Sequence, residues 1–129
     1  MAVDVNRAAA GSRGDVVFSD VAGFSISSPV NNLLAFGGQA LAVAPPKQVS
    51  SIRIRVNITA NSLDDTLTFT VERNGVSTTV TETIAATATG VVAISGALSL
   101  DGVDDTFGIK LTSNGNGAVT GVCAISLEG

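Results

Sequence analysis

From Ser51 to Thr59 apolar and polar side chains alternate without a break. Ile52, Ile54, Val56 and Ile58 fall on one side of an extended chain, and Arg53, Arg55, Asn57 and Thr59 fall on the other. Successive side chains of a strand point to opposite faces, so the pattern predicts a strand with one face buried and one face wet. A helix would scatter the same four apolar residues around its circumference. An apolar sheet face must be covered by another layer, and the rest of the chain offers strands to cover it.

Leu67, Phe69 and Val71 alternate with Thr66, Thr68 and Thr70, and Asn74-Gly75 follows. Asn-Gly supplies the two positive-φ residues of a type I′ hairpin turn. A two-residue turn there pairs Arg73 with Val76. It then sets Val71 opposite Thr78, Phe69 opposite Val80, Thr70 opposite Thr79 and Thr68 opposite Thr81. That register gives one apolar face and one face of Thr–Thr pairs. Phe107, Ile109 and Leu111 alternate with Thr106, Gly108 and Lys110. The run Ser113-Asn114-Gly115-Asn116-Gly117 reads as a hairpin turn, with Val119, Gly121, Cys123, Ile125 and Leu127 as the apolar face of the return strand. Shorter strands are predicted at Val16–Phe18, Phe24–Ile26, Val91–Ile94 and Ala97–Leu100. The apolar stretch Leu33–Val43 is broken by Gly37-Gly38, which argues against a helix there, and Pro45-Pro46 ends any ladder.

About eight to ten short strands with frequent turns and no helix predict an all-β fold, a two-sheet antiparallel sandwich, with the jelly roll the natural topology. Residues 15–129 form this domain. Residues 1–14 read as a short arm, flexible or docked on a partner. The 129 residues suffice for one domain, which at this size buries roughly two-thirds of its unfolded surface.

The chain has no His, Tyr or Trp. Ser–His and Cys–His nucleophiles and His-based metal sites are therefore impossible, and a carboxylate pair for glycoside chemistry would lack Tyr or Trp platforms for the sugar. The expectation is a protein that is not an enzyme and has no cofactor, no metal and no catalytic residue. Cys123 lies on the inward parity of its strand, as a small buried hydrophobe does. Asp64-Asp65 and Asp101–Asp105 could attract Ca²⁺, but their spacing does not match an EF-hand loop, and Asp stabilises turns through its own backbone. Arg13-Gly14-Asp15, the tripeptide of integrin ligands, reads as an ordinary junction. The sequon Asn57-Ile58-Thr59 lies on a polar strand face and reads as silent. Gly115-Asn116-Gly117 lacks phosphate-loop spacing.

Net charge is −4 with no basic block, which excludes the phosphate neutralisation that nucleic-acid binding requires. No run approaches the roughly 18 apolar residues of a spanning helix, and the start MAVDVNRAAAGSRGD has no apolar signal core. No membrane partner is expected. Charged residues are only 14% of the chain, against roughly 25% in ordinary soluble domains. Such an exterior suits surfaces that neighbours cover. Arg is favoured at interfaces, so the partner-binding candidates are Arg53 and Arg55 on the polar side of their strand, with Arg7 and Arg13 in the arm.

The segments SIRIRVNITA, LTFTVERNGVSTTVTETIAA and DTFGIKLTSNGNGAVTGVCAISLEG, in that order, cover about two-thirds of the chain. Together they resemble the jelly-roll domains of the tumour-necrosis-factor-like (TNF-like) kind, particularly the bacterial and phage versions. The resemblance implies a homotrimer that serves as a fibre head, a surface filament head or a capsid decoration. No Gly-X-Y stalk precedes the domain, which favours a free-standing virion component on the capsid exterior. The expected partners are further copies of the chain and the major capsid protein or another virion protein. The alternative is a receptor- or carbohydrate-binding head domain of a phage fibre or bacterial surface filament, at the cell surface.

Overall fold

A computed structural model describes residues 16–34, 48–101 and 105–129. Eight strands follow in order: β1 (Val16–Ser27), β2 (Val30–Leu33), β3 (Val49–Asn61), β4 (Leu67–Arg73), β5 (Val76–Ile84), β6 (Gly90–Leu100), β7 (Phe107–Ser113) and β8 (Ala118–Glu128). No helix occurs among the described residues. The strands form two antiparallel four-stranded sheets, in the orders β1-β8-β3-β6 and β2-β7-β4-β5. Every connection except the β4–β5 hairpin passes from one sheet to the other. This is a jelly-roll sandwich, the fold that the alternation predicts.

β3 carries the predicted parity. Ile52, Ile54, Val56 and Ile58 are buried, and Arg53, Arg55, Asn57 and Thr59 are exposed. Antiparallel neighbours share a face, so β3 aligns the apolar rows of its partners. Val56 stands between Cys123 and Val92, and Ile54 between Ile125 and Ile94. The second layer supplies Leu67, Phe69 and Val71 from β4 and Phe107, Ile109 and Leu111 from β7, each essentially solvent-free. Phe107 also meets Phe18 of β1 edge to face, with ring centroids 5.9 Å apart. Each such side chain contributes about 1.5–3 kcal/mol through removal of apolar area from water.

Five expectations need correction. Val16–Phe18 and Phe24–Ile26 are parts of one strand, β1. Asp20 interrupts its apolar parity, yet the ladder to β8 runs on through it, opposite Ile125. Val91–Ile94 and Ala97–Leu100 likewise merge into β6. Gly96 stays in the ladder opposite Ile52, and a Cβ there would lie 3.0 Å from the Val80 Cγ2, so it makes room for the other sheet. β2 was not expected. Most of the Leu33–Val43 stretch lies outside the described residues, as do the arm 1–14 and Pro45-Pro46.

The hairpin turn is type I′ in its dihedrals, with φ of 54° at Asn74 and 79° at Gly75, and Arg73 pairs with Val76. Beyond Glu72–Ser77, however, a bulge shifts the register by two. Thr70 faces Thr81 rather than Thr79, Thr68 faces Thr83 rather than Thr81, and Phe69 faces Glu82 rather than Val80. The cause is a threonine acting as surrogate backbone. Thr78 Oγ1 donates to the Val71 carbonyl at 2.7 Å and accepts from the Val80 amide at 3.1 Å. A shift of two preserves parity, so the Thr–Thr face survives.

The turn at 113–117 is not a hairpin. β7 pairs with β2 and β4, whereas β8 pairs with β1 and β3, so this turn carries the chain between the sheets. It is tied to two other loops. The Ser28 amide donates to the Gly117 carbonyl at 2.8 Å, the Ala118 amide to Ser62 Oγ at 2.9 Å, and the Asn116 amide to Asp64 Oδ1 at 2.8 Å. Gly117 has φ of 128°, and a Cβ there would collide with the Ser62 carbonyl. Replacing Gly117 by Ala is therefore expected to destabilise the domain by at least about 2 kcal/mol, from backbone strain and steric conflict together. Urea unfolding of the variant measures this, and a midpoint equal to that of the parent chain would show that the loop junction relaxes freely.

Candidate partner-binding face

The two sheets turn different chemistry outward. On the β2-β7-β4-β5 sheet, polar groups satisfy one another. Thr68 and Thr83 hydroxyls lie 3.0 Å apart and Thr70 and Thr81 hydroxyls 3.3 Å apart, while Thr81 Oγ1 also donates to the Phe69 carbonyl at 2.9 Å. Lys110 Nζ stands 3.8 Å from Glu72 Oε2.

The outer face of the β1-β8-β3-β6 sheet is built from small residues with two long cations in its middle. Arg55 stands in a row with Val21, Ala124 and Ala93, and Arg53 in the next row with Ser19, Ser126 and Ser95. The small neighbours leave both arginines standing over an open groove floored by alanine and serine. Val21 is 60% exposed, Val91 57% and Val122 42%. Val122 and Val91 flank Asn57 in the row beyond Arg55. Arg53 Nε reaches Glu128 Oε2 at 3.6 Å. Arg55 has no such partner among the described residues. This face combines uncovered apolar area with arginine, a residue enriched at interfaces.

Of the four arginines expected to bind a partner, the structure brings Arg53 and Arg55 together on this face. Arg7 and Arg13 lie outside the described residues, as does the Arg13-Gly14-Asp15 tripeptide. The exposed valines were missed. Their signal was apolar residues on both parities of β6 and β8, as in Val91-Val92 and Val122-Cys123, where a strand with one wet face should alternate. Glu82 was missed too. It sits on the parity of Val80 and Ile84, a carboxylate on an apolar register.

The aspartate clusters serve as turn braces. Asp105 accepts from the Asp101 amide at 2.9 Å, Asn74 Nδ2 at 2.8 Å and Arg73 Nη2 at 3.1 Å, and Asn74 Oδ1 accepts from the Thr106 amide at 2.9 Å. These contacts link the β4–β5 turn to the β6–β7 connection. Asp65 accepts from the Thr66 amide at 2.7 Å. No group of three or more Asp, Glu or Cys is placed to hold a metal ion among the described residues. Asn57 of the sequon is exposed, and Thr59 Oγ1 donates to the Thr120 carbonyl at 3.1 Å.

The Asp101 amide, then Asn74, then Arg73 hold the Asp105 carboxyl below its ordinary value of 3.8. A carboxyl depressed by folding contributes stability above its unfolded value and loses it as pH falls through the native value. The stability difference between the parent chain and Asp105→Asn is expected to be largest above 3.8 and to shrink as pH drops below it. Urea midpoints across acidic pH check this, and a pH-independent difference would contradict it. Burial pushes the Cys123 thiol up to about 12, so little reactive thiolate forms. The native protein is expected to resist a disulfide reagent at mildly alkaline pH and to react once unfolded in guanidinium chloride; rapid native labelling would refute this.

No protein-family model matches the chain, and no curated protein sequence matches it. Solved structures share its fold. Eiger TNF from S. frugiperda is 8% identical, with a TM-score of 0.54 over 91% of this chain and 94% of that one. PRD1 vertex protein P5 is 14% identical, with a TM-score of 0.56 over 89% of this chain and 99% of that one. At such identities the likeness is one of fold, and it agrees with the TNF-like jelly roll that the sequence resembles.

Proposed function

We propose that this chain is a non-enzymatic virion structural protein that decorates or cements a phage capsid as a homotrimer. The observation that carries the reading is the outer face of the β1-β8-β3-β6 sheet, with three exposed valines around an arginine pair on a floor of alanine and serine. A free surface of that make-up gains by being covered, and a further copy of the chain or a capsid subunit supplies the cover. The fold shared with the PRD1 vertex protein, a phage component, supports a virion setting. The fold shared with a TNF supports the trimer that the sequence resemblance implies. The absence of His and Tyr from the whole sequence supports a role without catalysis.

The mechanism is mass action. A subunit that binds the assembled shell better than its free capsomers shifts the equilibrium toward the shell, by an amount set by its concentration and affinity. Binding across several capsomers at once multiplies the effect through effective concentration.

Sedimentation of the purified full chain tests the trimer, and co-sedimentation with capsids of the encoding virus tests decoration. A trimer that pellets with capsids and raises their melting temperature is the expected result. A chain that stays monomeric at all accessible concentrations and remains in the supernatant overturns the reading.

A further inference from the structure

Asn74, Asn114 and Asn116 each precede a glycine. Such a pair is reactive in water. The glycine nitrogen has no side chain beside it, so it can reach the asparagine Cγ and close a cyclic imide. The fold treats the three pairs differently. Asn74 is clamped by its side chain. Its Nδ2 donates to Asp105 Oδ1 at 2.8 Å, and its Oδ1 accepts from the Thr106 amide at 2.9 Å. Asn116 is held through its main chain. Its amide donates to Asp64 Oδ1 at 2.8 Å, its carbonyl accepts from the Asp64 amide at 3.1 Å, and the Gly117 amide that follows donates to Ser28 Oγ at 3.3 Å.

Asn114 takes no part in those inter-loop bonds. It is exposed, and its side chain makes no hydrogen bond among the described residues. It stands between two open grooves, one shared with Asn31 and Thr112 and the other with Ser28 and Pro29, so its amide has room to turn. The restraint on the reaction is Ser113 Oγ, which accepts from the Gly115 amide at 3.0 Å. That catch is a local contact of one side-chain rotor, released by a change of rotamer without breaking a ladder.

We infer that Asn114 is a self-modification site, at which the folded chain converts asparagine to aspartate and isoaspartate, with the Ser113 hydroxyl as its catch. Hydroxide takes the proton of the Gly115 amide, and the nitrogen attacks Asn114 Cγ. The N–Cγ bond forms, the Cγ–Nδ2 bond breaks, and ammonia leaves with a proton from water, which restores the hydroxide. Water then opens the imide at one carbonyl or the other. No atom is oxidised or reduced. The product carries a new carboxylate in a turn that Asp64 and Asp65 border: a Cβ on Gly115 would lie 2.8 Å from Asp64 Oδ1 and 2.7 Å from the Asp65 nitrogen. Like charges in one loop junction repel, and isoaspartate adds a methylene to the main chain beside the buried Gly115. Conversion therefore works against the three-loop junction, in one direction and without an enzyme.

The experiment incubates the full folded chain at mildly alkaline pH and follows each asparagine by peptide mapping with fragmentation mass spectrometry, which distinguishes asparagine, aspartate and isoaspartate at each position. Conversion is expected first at Asn114, with Asn74 slower by at least about tenfold because its bond to a charged partner must open first. Ser113→Ala removes the catch and is expected to speed conversion at Asn114 about fivefold, the weight of one neutral hydrogen bond. Circular dichroism confirms that the variant is folded. In guanidinium chloride the clamp and the catch are gone, and the three sites are expected to convert at similar rates, a comparison that needs no variant. Asn74 or Asn116 leading in the folded chain overturns the inference, and so does a folded Ser113→Ala chain that converts no faster than the parent. The same ranking in the unfolded chain overturns it too, because the order then belongs to the local sequence and not to the fold.

Discussion

The packing of β8 between β1 and β3 is the constraint on which the sandwich depends. β8 is the last strand of the chain, yet it sits inside its sheet and hydrogen-bonds along both edges. Its inward residues Val119, Cys123, Ile125 and Leu127 are buried to within a few per cent, and they touch the apolar rows of both neighbours. β1 and β3 therefore have no common sheet until the C-terminal strand arrives. All of these pairings are distant in sequence, so loop-closure entropy is lost before contacts compensate for it, the situation in which β folds form slowly. The three-loop junction around Gly117 follows from the same demand. The chain must leave β7 in one layer and enter the middle of the other in four residues. The Ser28, Ser62 and Asp64 hydrogen bonds satisfy backbone groups that this sharp passage removes from any ladder.

Strands with one wet face were legible in the sequence, because parity is a local property. Ile52 to Ile58, Phe107 to Leu111 and Val119 to Leu127 face inward as their alternation requires. What the sequence did not disclose is how local pieces connect. Asp20 and Gly96 look like breaks in a one-dimensional pattern, but a ladder tolerates a polar or missing side chain where the opposite layer leaves space or needs it. The register of the β4–β5 hairpin was right at the turn and wrong beyond it. The deciding interaction, Thr78 Oγ1 bridging a carbonyl and an amide, is a side chain competing with the ladder. Pairing partners were the least legible of all. Phe107–Leu111 and Val119–Leu127 are strong strands separated by a turn sequence, and nothing in either run states that they belong to different sheets.

The candidate site was half legible for a related reason. Arg53 and Arg55 announce themselves by parity on a strand whose burial is certain. The valines around them come from β1, β6 and β8, and only the register brings Val21 into the Arg55 row and Val91 and Val122 into the row beyond. An interface patch is a two-dimensional object assembled from strands far apart in sequence. Its residues look unremarkable until the sheet order is known, and an exposed valine taken singly needs no explanation.

The two outer faces show how one threonine- and alanine-rich exterior divides its work. Across the β4–β5 pair, hydroxyl meets hydroxyl and the Lys110–Glu72 pair is internal, so a partner docking there would have to break satisfied contacts before making its own. Across β3, the side chains are too short to satisfy or cover Arg55, and the valines stay exposed. Covering that face desolvates apolar area at little cost in broken polar contacts, whereas covering the other desolvates groups that already have partners. The asymmetry makes the β1-β8-β3-β6 face the one to bury.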